Sequence, residues 1–103
     1  MTETLKPPLT LDALRARRAE ILALAARYGV SNVRVFGSVA RGEATPESDV
    51  DLLVTANAGT SIFDVVGLWL DLQALLGCRV NVITDGVEDQ RFLQRVQTDA
   101  VAL

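Results

Sequence analysis

The chain has no histidine among its 103 residues, and that absence removes whole classes of chemistry. A Ser-His-Asp or Cys-His nucleophile cannot be built, nor can the common zinc motifs that contain histidine. Chemistry must then run on carboxylates. The single cysteine, Cys78, allows neither an intrachain disulfide nor a four-thiolate metal site, which fits a reducing cytoplasm. No apolar run approaches transmembrane length, and the N-terminus lacks a charged start followed by an apolar segment and a cleavage site. A soluble cytoplasmic protein with no membrane partner is expected. Basic residues are in the minority, 10 Lys and Arg against 13 Asp and Glu, giving a net charge of −3. Phosphate backbones need clustered excess cations, so direct nucleic-acid binding is not expected. The one basic cluster, Arg15, Arg17 and Arg18, reads as the solvated side of a helix.

Half the residues are hydrophobic and 22% are charged, as in a folded globular domain with one core. No repeat, low-complexity block or internal linker interrupts the chain. Residues 1–9, with Pro7-Pro8, read as a flexible N-terminal arm, and residues 10–103 as a single domain. Thr10 is placed as an N-cap. Leu11, Leu14, Ile21, Leu22 and Ala25 form an apolar stripe, and Gly29 stands where a C-cap belongs, predicting one helix over 11–28. Strands are expected over 32–36, 50–54 and 79–84, with a polar loop over 44–48, a turn at Asp85-Gly86 and a last helix over 88–98. Ser61 and Asp64 resemble a capping box for a helix that ends at Gly77.

That helix carries more apolar surface than one buried face requires. Ile62, Val65, Val66, Trp69, Leu70 and Leu76 make a stripe, and Leu68, Leu72 and Leu75 extend it around the cylinder. Such a helix is either sandwiched in a core or meets a partner.

The chemistry concentrates in residues 35–54, VFGSVARGEATPESDVDLLV. An apolar strand runs into Gly37-Ser38, where a sharp turn suits glycine. A short helix can begin at Ser38, with free amides and a hydroxyl directed at an anion. Arg41 follows one helical turn later, either as a charge-assisted phosphate contact or as a surface arginine. Asp49 and Asp51 then open a second strand. Two residues apart, they share a face, while Val50, Leu52 and Val54 bury on the other. At about 4 Å and an effective dielectric near 20, two carboxylates repel by roughly 4 kcal/mol. No Lys or Arg is adjacent in sequence to relieve them. An all-oxygen pair points to Mg²⁺, which completes its shell with phosphate and water. Together these parts describe a site for a Mg²⁺-nucleoside triphosphate. The plain alternative is a Ser48-Asp49 turn followed by a solvent-facing acid.

Gly-Ser, a spacer of about ten and Asp-x-Asp within apolar residues resemble the signature of the DNA polymerase beta-like nucleotidyltransferases. With a helix before the strand, GSVARGEATPESDVDLLV, a later VNVIT strand and the closing DAVAL, the chain is similar over nearly its whole length to the minimal nucleotidyltransferase (MNT) antitoxins. The resemblance implies an α/β (α+β) nucleotidyltransferase fold, a short mixed sheet flanked by helices. It implies a protein adenylyltransferase using ATP and Mg²⁺, with Asp49 and Asp51 as catalytic metal ligands and Gly37, Ser38 and Arg41 as nucleotide contacts. The implied partner is a HEPN-family RNase toxin, neutralised by transfer of AMP to a tyrosine hydroxyl.

The superfamily places a third carboxylate on a later strand, where this chain has Asn81. An amide can offer a ligand oxygen but cannot take a proton. A binding-only antitoxin therefore stands as the alternative. A small-molecule nucleotidyltransferase is a third reading, which lacks the helical acceptor domain such enzymes carry. Asp85 and Asp89 are near in sequence, one expected in a turn and the other at a helix start.

Overall fold

In a computed structural model of the chain, residues 9–86 and 89–103 are described. The element order is α1 (Leu11–Ala16), α2 (Arg18–Arg27), β1 (Val30–Phe36), α3 (Gly37–Arg41), β2 (Val50–Ala56), α4 (Ile62–Leu76), β3 (Val80–Thr84), α5 (Gln90–Asp99) and β4 (Val101–Ala102). The strands form one mixed sheet in the order β3-β2-β1-β4. β1 is antiparallel to β2 and to β4, while β2 and β3 are parallel. Parallel pairing needs a crossover, which α4 supplies.

Strand alternation sorts the side chains into two layers. Val33, Val35, Val50, Leu52, Val54 and Val80 join Leu14, Ile21, Leu68 and Leu72 in the larger core. On the opposite face Phe36 and Leu53 pack with Val96 of α5. Asp49 and Asp51 share that second face with Leu53, because all three are separated by two residues.

Several local expectations hold. The Thr10 side chain accepts from Ala13 N at 3.0 Å. Ser61 and Asp64 form a reciprocal capping box, and α4 ends at Gly77 in the left-handed region with φ 69°. Asp89 caps α5 by accepting from Phe92 N at 3.1 Å. The expected start at Glu88 lies outside the described residues. So does the arm over 1–9, except for Leu9, which packs against the core.

Three expectations are corrected. The helix expected over 11–28 is two helices, broken at Arg17 (φ −108°, ψ 18°). Neither Pro nor Gly marks the break. Arg17 instead reaches across to α4, donating to Leu75 O at 2.7 Å. Arg15 donates to Ala102 O at 2.8 Å, so two members of the basic cluster bind main-chain carbonyls of other elements rather than standing free in solvent. The third correction concerns α4. Leu68 and Leu72 are fully buried, so they are core rather than surplus. The exposed side chains are Ile62, Phe63, Val66, Trp69 and Leu70, with Phe63 82% exposed. The two-residue β4, hydrogen-bonded to β1 through Leu103 N to Val33 O at 3.2 Å, was not anticipated as a strand.

Candidate active site

The site forms where β1 ends and β2 and β3 begin. Phe36 pairs with Asp51 across the antiparallel ladder, which brings the Gly37 turn beside the carboxylate. Gly37 has φ 74°, and a Cβ built there would overlap Asp51 Oδ2 and lie 3.3 Å from Asp51 Cγ. Glycine is therefore required twice, for the left-handed backbone and for the close approach. Ser38 follows within α3, a single turn closed by Gly42 at φ 75°. Of the expected meeting of Gly37 and Ser38 with Asp49 and Asp51, the close approach of Gly37 to Asp51 is the contact seen directly.

From the other side, Asn81 of β3 pairs with Asp51 in the parallel register. Its Nδ2 donates to Asp51 Oδ1 at 2.9 Å and to Asp49 Oδ2 at 3.2 Å. One amide thus bridges both carboxylates. Arg79, two residues earlier, places Nε 3.0 Å from Asp49 Oδ1. This is a charge contact without hydrogen-bond alignment, since Asp49 Oδ1 is buried and has no hydrogen-bond partner. The carboxylate pair, unrelieved by its sequence neighbours, is relieved from the adjacent strand. Arg79 was missed on the sequence, although its two-residue spacing from Asn81 carried the signal.

An open cleft of about 520 Å³ lies against these groups, lined by Phe36, Asp51, Trp69, Asn81, Val82, Ile83 and Phe92. That volume is in the range of small-molecule pockets. Its aromatic walls, Phe36, Trp69 and Phe92, were not singled out together from the sequence because they come from three separate elements.

Arg41 stands apart. Its guanidinium donates to Glu43 Oε1 at 2.9 Å and Asp99 Oδ2 at 2.6 Å, bonds that raise its pKa. It lines a different pocket, with Thr10 and Val39. Asp85 is also committed elsewhere. It accepts from Thr55 Oγ1 at 2.6 Å and from Arg34 at 2.9 Å. Burial pushes its carboxyl up, but those hydrogen bonds and the Arg34 charge outweigh burial and hold it below the ordinary value of 3.8. Asp85 is four residues beyond Asn81, roughly 13 Å along a strand.

Among the described residues, no three His, Cys, Asp or Glu side chains gather as a metal-binding group. The donors present are two carboxylates and an amide, which becomes an oxygen donor if its Oδ1 and Nδ2 exchange places by a half-turn. With Asp49 Oδ1 buried and lacking a hydrogen bond, and a glycine keeping space open against Asp51, this set fits a hard divalent cation whose remaining ligands are water and phosphate.

No helix among the described residues is long and apolar enough to cross a membrane. The nucleotidyltransferase domain family matches residues 20–99. Protein adenylyltransferase MntA of Thermococcus cleftensis is 45% identical over 76 residues, covering 73% of this chain and 77% of that protein. A solved structure named as a minimal nucleotidyltransferase is 45% identical, with a TM-score of 0.82, covering 92% of this chain and 97% of that one. A toxin–antitoxin crystal structure with AMP-PNP shares the fold at 21% identity and a TM-score of 0.71, covering 82% of this chain and 69% of that one. The chain belongs to the nucleotidyltransferase domain family, in its minimal, MntA-like protein adenylyltransferase branch.

Proposed function

We propose that this chain is an antitoxin that silences a HEPN-type RNase toxin by transferring AMP from ATP to a tyrosine hydroxyl of the toxin. The observation that carries the reading is the pair Asp49 and Asp51, Asp51 beside the Gly37 turn and the buried Asp49 Oδ1 met only by the ion pair with Arg79. Kinship with protein adenylyltransferases supports the reaction. The fold shared with a toxin–antitoxin structure containing AMP-PNP supports the nucleotide and the kind of partner.

In this reading Asp49 and Asp51 hold Mg²⁺, joined by the Asn81 amide oxygen after a half-turn. When bound, the ion screens the triphosphate and favours departure of pyrophosphate. Gly37 lets the main chain approach the phosphates with no side chain between, and the Ser38 hydroxyl donates to a phosphate oxygen. The acceptor oxygen bonds to the α-phosphorus as the bond to the α,β-bridging oxygen breaks and pyrophosphate leaves. The hydroxyl proton passes to solvent, because Asn81 cannot take it. General-base assistance typically contributes 10²- to 10⁴-fold, so transfer is expected to be slow.

A second reading is favoured by the same asparagine. An amide that already bridges both carboxylates relieves their repulsion without a cation, as a binding-only antitoxin would allow. The test is co-expression with the protein encoded beside this chain, followed by intact-mass measurement of that protein. Addition of AMP units that disappears with Asp49→Ala or Asp51→Ala supports transfer. Neutralisation without any mass change overturns it in favour of binding alone.

A further inference from the structure

All the exposed large hydrophobic side chains among the described residues lie on α4: Ile62, Phe63, Val66, Trp69 and Leu70. Their spacing of three, four and seven puts them on one outward stripe, opposite the buried Val65, Leu68 and Leu72. Contiguous apolar patches beyond about 300–600 Å² are rare on monomers and mark contact surfaces. The stripe also leads somewhere. Trp69, at its far end, lines the same cleft as Asp51 and Asn81, and its indole donates to Val80 O at the start of β3.

β3 is an edge strand. Val50 N donates to Arg79 O at 3.0 Å and Asp85 N to Val54 O at 2.8 Å, so the main chain of residues 79, 81, 83 and 85 faces β2. The N–H and C=O groups of Val80, Val82 and Thr84 consequently point outward. α4 covers the first of these positions, because Trp69 donates to Val80 O and Gln73 Oε1 accepts from Val80 N at 3.1 Å. Val82 and Thr84 have no such cover among the described residues. Val82 lines the cleft beside Asn81.

We propose that the α4 stripe and the open edge of β3 form one docking surface for the acceptor protein, whose hydroxyl-bearing segment pairs along β3 and delivers its side chain to the cleft of Asp51 and Asn81. The inference rests on the protein-adenylyltransferase reading. It identifies the occupant by continuity: the cleft must admit a protein hydroxyl, and Trp69 of the apolar stripe both lines that cleft and binds the β3 edge at Val80 O. A strand added at an edge takes affinity from main-chain hydrogen bonds and specificity from alternate side chains.

The probe is the protein encoded beside this chain, with binding and AMP attachment measured separately. The variants are Phe63→Asp with Leu70→Asp, neither of which lines the cleft, and Val82→Pro, which removes an outward N–H together with a side chain packed against the larger core. Circular dichroism confirms folding, and the exposed double variant serves if Val82→Pro misfolds. The expected result for the double variant is a rise of at least tenfold in Kd and in KM for the acceptor, with KM for ATP within twofold. Unchanged Kd and KM for the acceptor overturn the docking surface. If the double variant only converts a dimer to a monomer, a second copy occupies the stripe and the proposal fails. Tight wild-type binding without AMP attachment overturns the transfer reading instead, while the Kd of the variants still decides the docking surface.

Discussion

Asn81 lies directly opposite Asp51 in the parallel register of β3 and β2 and donates to its Oδ1 at 2.9 Å. An amide here acts as a neutral clamp on two carboxylates. Asn81→Asp replaces the clamp with a third negative charge. Without metal, the variant is expected to lose about 1–3 kcal/mol in denaturant unfolding, through the lost charge-assisted bonds and the new repulsion. Millimolar Mg²⁺ should restore more stability to it than to the parent chain. Its AMP transfer should rise by about 10²-fold if the new carboxylate reaches the acceptor hydroxyl. No Mg²⁺ stabilisation of either protein would exclude a metal at these residues, and equal stabilisation of both would exclude position 81 as a ligand.

Arg79 competes with any cation for Asp49. The pair is exposed on the arginine side, at 76%, and exposed pairs contribute about 0.2–1 kcal/mol. Arg79→Gln should therefore tighten Mg²⁺ binding only modestly, by roughly 1.4- to 5-fold. Isothermal titration at low ionic strength measures it, and weaker binding would show that Arg79 assists the site rather than competing for it.

Gly37→Ala separates backbone strain from contact. Both Gly37 and Gly59 have positive φ, but only Gly37 has a neighbour in the way, since a Cβ at Gly59 meets nothing within 4 Å. Gly59→Ala should cost about 1–2 kcal/mol for the left-handed backbone. Gly37→Ala should cost more, and should also weaken ATP binding because Asp51 must move. Equal stability losses with unchanged ATP affinity would detach Gly37 from the site.

Asp85 sets an acid dependence unrelated to catalysis. Its folded pKa lies below 3.8, with hydrogen bonds from Thr55 and Arg34 overcoming burial. A depressed carboxyl contributes stability above its unfolded value and loses it as pH falls through its folded value. Asp85→Asn should be less stable at neutral pH and show a shallower further loss below about pH 4. Parallel unfolding curves across that range would contradict the assignment.

Legibility from sequence differed sharply between elements. Asp49, Asp51 and Gly37 were readable because strand alternation and positive-φ turns leave local signatures. The break at Arg17 was not, because it is held by a bond to Leu75 O, 58 residues away. The two residues of β4 are too few to show a period. In α4 the period was visible but its phase was not: with apolar residues on most sides, nothing local distinguishes Leu68 and Leu72, which bury, from Trp69 and Leu70, which do not. Asn81 was legible as a departure from a family pattern, but its bridging of both acids needed the β2–β3 register.

The site straddles the sheet's interior and its margin. Asp51 belongs to β2, flanked by hydrogen-bonded strands on both sides, whereas Asn81 belongs to β3 at the border. Protection from local opening follows that division. Amide hydrogens of Leu52 and Leu53 should exchange with solvent only through global unfolding, while the outward amides of Val82 and Thr84 should exchange early. The carboxylates thus stand on the anvil of the domain, and the amide that clamps them stands on an edge strand. Because Asn81 donates to both carboxylates, any shift of that border strand is passed directly to the acids.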